Sequence, residues 1–158
     1  MSAGDLGVGK EVAFTREFKA PRALVWKMWT DPVHIARWWG PAGFTNPLCE
    51  VDARPGGAIN IHMQAPDGTI YPMKGEFGEM DEPDRLVFVS RACTDENGED
   101  QLEVVSTLTL REDGGKTTMT LKNLITKAGP GAEFALAGME EGWSGSLDKL
   151  SEVVAAGI

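Results

Sequence analysis

The chain has 158 residues, 42% of them hydrophobic and 25% charged, the composition of one ordinary globular domain. Its formal net charge of −9 repels nucleic acid and anionic membranes, and no basic run argues the other way. No apolar stretch reaches about 18 residues, so no membrane span is predicted; the opening MSAGDLGVGKEV also lacks the apolar core of a signal peptide, so a cytoplasmic protein is expected.

Residues 1–10 are glycine-rich and expected to be a flexible N-terminus. Val12, Phe14 and Phe18 fall on one face of a strand over Glu11–Phe18. Pro21 suits the first turn of a helix that carries Leu24, Val25, Met28 and Trp29. Asp31 is a natural N-cap with Pro32 at the first helical position. The second short helix that follows carries Ile35, Trp38 and Trp39 and stops at Gly40-Pro41. Adjacent helical residues point about 100° apart, so the two indoles cannot both be centred in one buried stripe. Trp38 is expected to pack against Trp29. Trp39, at the helix end, is expected to cover an opening in the sheet behind it.

Strands and turns then alternate. Phe44–Ala53 is a strand closed by Arg54-Pro55-Gly56-Gly57. Ile59, Ile61 and Met63 alternate up to a hairpin turn at Ala65-Pro66-Asp67-Gly68. Tyr71, Met73, Gly75 and Phe77 share a parity in the next strand, which Glu82-Pro83-Asp84 breaks. Leu86, Phe88 and Ser90 interleave with Val87 and Val89, so burial on both faces is expected there. Thr94–Asp100 is a polar hairpin tip. Leu102, Val104, Leu108 and Leu110 mark a further strand. Asp113-Gly114-Gly115 is a turn, and Met119 and Leu121 belong to the last strand. Leu136, Met139, Trp143, Leu147, Leu150 and Val154 step by three and four, the stripe of an amphipathic helix of about 25 residues. One domain is expected over residues 11–156.

Few motifs carry chemistry. GDLGVGKE at residues 4–11 nearly spells a phosphate loop, but Glu11 replaces the magnesium-binding hydroxyl, and a strand follows where a helix is required. His34 and His62 are the only histidines, and no cluster has metal-ligand spacing. Cys49 and Cys93 lie in apolar alternating runs and read as buried reduced thiols. Glu50, Asp52, Glu76 and Glu79 sit in or beside strands; Glu50, Asp52 and Glu76 share parity with solvent-facing neighbours. No catalytic residue, metal ligand or cofactor is assigned. Gly138, Gly142 and Gly145 interrupt the long helix, each at a cost of up to about 1 kcal/mol relative to alanine. They mark either close backbone approach or space beside the helix.

The stretches APRALVWKMWTDPVHIARWWGP, CEVDARPGG, APDGTIYPMKGEF, DEPDRLVF and EGWSGSLDKL span Ala20 to Leu150 in that order. Together they resemble the helix-grip fold of the START-like (SRPBCC) superfamily. More closely, they resemble the family named for activators of the ninety-kilodalton heat-shock protein's ATPase. The resemblance implies an α+β fold. A curved antiparallel sheet wraps a long C-terminal helix, two short helices follow the first strand, and an apolar cavity lies between sheet and helix. It implies first the binding of a small hydrophobic molecule in that cavity. The wall would include Trp39, Phe44, Ile59, Ile61, Met63, Tyr71, Met73, Phe77, Phe88 and Trp143. It implies second a co-chaperone that regulates a heat-shock ATPase, although the eukaryotic activators carry a further N-terminal domain for which this chain has no room. A third reading, an enzyme of the cyclase or hydratase kind, needs a carboxylate inside the cavity, and the direction of Glu76 decides it.

Overall fold

In the computed structural model, which describes residues 8–157 less the side chain of Phe134, alternating apolar residues build seven strands. These are β1 Glu11–Phe18, β2 Thr45–Val51, β3 Ala58–Gln64, β4 Ile70–Asp81, β5 Arg85–Thr94, β6 Asp100–Asp113 and β7 Lys116–Ala128. They form one antiparallel sheet in the order β1-β7-β6-β5-β4-β3-β2. Register breaks at Thr45/Leu48, Phe77/Met80 and Glu103/Val104 bend the strands as bulges do, and the sheet curves. Three helices complete the chain: α1 Arg22–Thr30, α2 Pro32–Trp38 and α3 Glu133–Ala156. The α+β helix-grip architecture implied by the resemblance is the one observed.

Local chemistry places the helix ends. Asp31 accepts from the Val33 N–H at 3.0 Å, and Pro32 opens α2. Pro21 stands one residue before α1 rather than in its first turn; its fixed φ serves there without an N–H to satisfy. α2 ends at Trp38, one residue sooner than the apolar spacing suggests. Trp39 is extended, with φ −61° and ψ 136°. The Asn46 side-chain nitrogen donates to Trp39 O at 2.8 Å and to Ala36 O at 3.1 Å, and so satisfies carbonyls that the helix end orphans. Gly40, at φ +94°, then turns the chain in a way that a residue with a Cβ resists.

Two apolar clusters lie between the sheet and α3. The main one has 21 buried members, among them Met28, Trp38, Leu108, Met119, Leu121, Leu147 and Leu150, all at 0% exposure. The second has five: Leu102, Val104, Ile125, Ala128 and Ala132, with Cys93, Leu136 and Met139 half-buried against them. At about 1.5–3 kcal/mol for each large side chain fully buried, the first cluster carries most of the hydrophobic stabilisation. β5 is not buried on both faces. Leu86 and Phe88 face the core, whereas Val87 and Val89 are half-buried, because no helix among the described residues covers that side of the sheet.

At the N-terminus, Gly9 donates to Ile125 O at 2.8 Å and Ile125 donates to Lys10 O at 3.0 Å. The pairing of β1 with β7 therefore extends two residues upstream, into the stretch expected to be loose. Residues 1–7, which hold most of that stretch and half of the near-phosphate loop, lie outside the described residues. The loop leads into β1, a strand where a phosphate loop needs a helix.

Candidate functional site

The break at Trp39 sends the neighbouring indoles to different places. Trp38 is fully buried; its Nε1–H donates to Met28 O at 2.8 Å, and its ring meets Trp29 edge-on with centroids 4.5 Å apart. Trp39 is half-buried. It lies 6.1 Å from Phe88 and 5.4 Å from Trp143, edge-on to the latter. Trp143 in turn stacks on Trp29 at 6.3 Å. Such pairs are worth about 0.5–1.5 kcal/mol beyond the area they bury.

These rings fill the space they frame. A cavity of about 20 Å³ remains, lined by Trp29, Ile35, Trp38, Trp39, Val51, Ile59, Ile61, Met73, Phe77 and Phe88. That is room for about one water and not for an organic ligand. Six of the ten residues expected in a cavity wall line it: Trp39, Ile59, Ile61, Met73, Phe77 and Phe88. Trp143 touches Trp29 and Trp39 but does not line the space. Met63 packs partly buried at the cluster's margin. Phe44 and Tyr71 pair with each other at 6.0 Å, and Tyr71 is 42% exposed. The register explains the last three: Met63 stands opposite Tyr71, one pair from the hairpin end of β3 and β4, and Phe44 packs on that end.

Larger room lies under the other half of α3. A cleft of about 340 Å³ is lined by Lys10, Val12, Ile125, Glu133, Leu136, Ala137, Met139 and Glu140. Sequence periodicity assigned Leu136 and Met139 to the buried stripe; both are half-buried, because this half of α3 does not close onto the sheet. The glycines of the helix separate accordingly. A Cβ at Gly145 would stand 3.2 Å from the Ala42 backbone nitrogen, so close approach accounts for it. At Gly142 the nearest atom would be Pro41 Cγ at an ordinary 3.5 Å. At Gly138 nothing lies within 4 Å. Gly138 is exposed and is not part of the cleft lining, so neither close approach nor the cleft accounts for it.

The titratable groups lie mostly elsewhere. Glu76 is on the far side of the sheet from Phe77 and the core. Arg91 holds it through Nη1 at 2.6 Å and Nη2 at 2.9 Å, and Arg91 Nε reaches Glu103 at 2.9 Å. The hydrogen bonds from Arg91 lower the Glu76 pKa. Glu103 is lowered by the Thr126 hydroxyl first and by Arg91. Glu50 and Asp52 are exposed, and Asp52 pairs with Arg54 at 2.6 Å; Glu79 is 3.5 Å from Arg85. His34 is buried with Nδ1 unpartnered, and His62 is half-buried. Cys49 and Cys93 are half-buried rather than buried, and burial raises both thiols, Cys49 to about 11. No group of acidic, histidine or cysteine side chains that could hold a metal occurs among the described residues. Lys149, on α3, donates to Pro41 O at 3.1 Å and Phe44 O at 3.3 Å, and burial lowers its pKa.

A seven-stranded curved antiparallel sheet, two short helices after the first strand, and a long C-terminal helix over an apolar face define a helix-grip domain of the START-like class. Residues 19–155 match the activator of Hsp90 ATPase homolog 1-like protein family, and the chain belongs to that family. It is similar to a protein of Arthrobacter aurescens solved by NMR, at 27% identity and TM-score 0.80, over 94% of this chain and 87% of that one. A Nitrosomonas europaea protein is 26% identical with TM-score 0.73 over 94% of each chain. A Mycobacterium smegmatis protein is 26% identical with TM-score 0.75 over 91% of this chain and 90% of that one. No curated protein matches the sequence. No described helix is long and apolar enough to cross a membrane.

Proposed function

We propose that the protein binds a small, largely apolar molecule between its sheet and α3, in the cleft under the N-terminal half of the helix. The observation that carries this reading is the cleft itself. Its volume of about 340 Å³ falls in the range of ligand sites, about 300–1,000 Å³. Its lining is mainly apolar, with Lys10, Glu133 and Glu140 as its charged members. The tryptophan-lined cavity at the other end has the composition of a binding wall but not the room.

The test uses N-phenyl-1-naphthylamine, an uncharged dye that brightens in apolar surroundings. Saturable binding is expected for the native chain and for Trp39→Phe, and strongly weakened binding for Ala137→Trp, which puts an indole into the cleft. Absence of dye binding to the folded protein would overturn the proposal. Binding lost in Trp39→Phe and kept in Ala137→Trp would move the site to the tryptophans. Native mass spectrometry of protein purified from its own host then identifies the natural ligand.

The family's description favours a second reading, regulation of a heat-shock ATPase. ATP turnover by Hsp90 with and without the chain tests it; a several-fold rise, abolished by surface substitutions in this protein, supports that reading. The enzyme reading needs a carboxylate inside the cavity; Glu76 does not supply it, since it is turned outward onto Arg91, and the carboxylates at the proposed cleft are Glu133 and Glu140.

A further inference from the structure

The concave face of the sheet carries one polar pair among apolar neighbours. Ser106 on β6 and Asn123 on β7 stand directly opposite each other, both at 0% exposure. The Ser106 hydroxyl donates to Asn123 Oδ1 at 2.6 Å. Asn123 Nδ2, which bears two N–H donors, has no partner. Turning the amide over would only leave its carbonyl end unpaired instead. A buried amide with a free end costs stability that an apolar side chain of similar shape would not.

The pair adjoins the cleft. Val12 is Asn123's cross-strand partner on β1, and Ile125 is the next inward residue along β7. Both line the cleft. Asn123 is thus the first polar side chain beyond its floor. We infer that Asn123 reads the bound molecule: the cleft takes an apolar compound that ends in a neutral carbonyl, whose oxygen accepts from Asn123 Nδ2. This rests on the cleft being the binding site proposed above. Ser106 is a positioning residue; by occupying Oδ1 it leaves the nitrogen as the amide's free end. A neutral acceptor suits the surroundings better than an anion. The chain carries a net charge of −9, two glutamates line the cleft against one lysine, and a buried charge without a paired cation is costly. Asn123 is at 0% exposure and lies just behind the lining, so the bound molecule must displace a wall side chain to reach it.

The experiment compares two probes of nearly the same shape, 2-acetylnaphthalene and 2-isopropenylnaphthalene, by displacement of N-phenyl-1-naphthylamine. The native protein is expected to prefer the ketone about tenfold, the worth of one well-made buried hydrogen bond. In Asn123→Leu the preference falls to one or below, while the hydrocarbon binds as before. Asn123→Ala repeats the result at smaller volume. Ser106→Ala lowers the ketone preference without changing hydrocarbon affinity, which a purely structural role would not do. Equal affinities in the native protein, or a ketone preference that survives both Asn123 variants, would overturn the inference while the cleft proposal stands. If neither probe nor dye binds, the cleft proposal falls and takes this inference with it.

Discussion

The C-terminal half of α3 lies on the main cluster with Ser146, Leu147, Leu150 and Val154 at 5% exposure or less. Over residues 133–142 no described side chain is fully buried. Both halves carry an apolar stripe of the same period. The stripe meets two different partners. Toward the C-terminal end, α1, α2 and the residue after α2 bring Trp29, Trp38 and Trp39 up beneath the helix, and about 20 Å³ is left open among them and their neighbours. Toward the N-terminal end only β6, β7 and the edge strand β1 lie below, and about 340 Å³ stays open. A helix-grip sheet thus leaves room where no second layer of helices fills it.

The sharpest way to break this comparison is to truncate a side chain at each end. Trp38→Ala removes a fully buried indole and its hydrogen bond to Met28 O. It should cost about 3–5 kcal/mol. Met139→Ala, at the cleft, should cost about 1 kcal/mol, because its side chain is already half out of contact. Urea denaturation measures both. Similar losses would mean that the cleft end is packed as tightly as the tryptophan end.

The helix glycines sharpen the same contrast with a change of sign. Gly145→Ala places a methyl 3.2 Å from the Ala42 nitrogen and should destabilise by about 1–3 kcal/mol. Gly138→Ala meets nothing and should stabilise by up to about 1 kcal/mol through helix propensity. Thermal melts of the two variants should therefore move in opposite directions. A fall for Gly138→Ala would show that something occupies the space beside it.

Most of the fold was legible in the sequence because each element carries its own period. Turn signals such as Arg54-Pro55-Gly56-Gly57 and Asp113-Gly114-Gly115 separate strands whose alternation is clean, and Asp31-Pro32 announces α2. The site was less legible. Alternation shows that Ile59, Ile61 and Met73 face inward, and they do, but it cannot say whether facing side chains leave a gap. Gap size depends on how α1 and α2 dock, and one broken turn at Trp39 decides that. Val12 reads as core by its parity and is buried, as Ile125 is; that both also line the cleft depends on how α3 stands over the sheet, which alternation does not carry. Asn123 was invisible because a single polar residue in an alternating strand reads as an irregularity.

Lys149 shows the same limit from the surface side. By helical spacing it stands outside the apolar stripe of Leu147, Leu150 and Val154. Its ammonium instead ties the Pro41–Phe44 turn to α3 through two backbone carbonyls. Lys149→Met should cost about 1 kcal/mol, the hydrogen bonds of a charged donor offset by relief of its desolvation. Glu152→Ala, exposed one turn on, should lie within about 0.5 kcal/mol of zero. The loss should appear at the tryptophan end, as a red-shifted indole emission, because the turn carries Trp39's neighbours.

The smallest expected effect concerns the back of the cleft. Arg91, Glu76, Glu103 and Thr126 form a chain of hydrogen bonds across β4 to β7 on the outer face. The next row of cross-strand partners is Ser90, Val104 and Ile125, of which Val104 and Ile125 belong to the second cluster. The thin cluster is therefore braced from outside. Both carboxyls have folded pKa values below the ordinary value of about 4.3. The unfolded chain thus takes up their protons first as pH falls. Their contribution to stability is complete above the ordinary value and is lost as pH drops through the lower folded values. The side chains of Arg91, Glu76 and Glu103 are all partly exposed, so solvent screening keeps the effect below about 1 kcal/mol. Amide hydrogen exchange from pH 5 down to about 3 should reveal it as a local loosening: protection at Val104 and Ile125 should fall before protection at Leu108 and Leu121. Arg91→Met should show that weakened protection at pH 5 already and little further change in acid. Uniform loss along β6 and β7 would mean that the two ends of the sheet unfold as one unit, and that the brace belongs to neither.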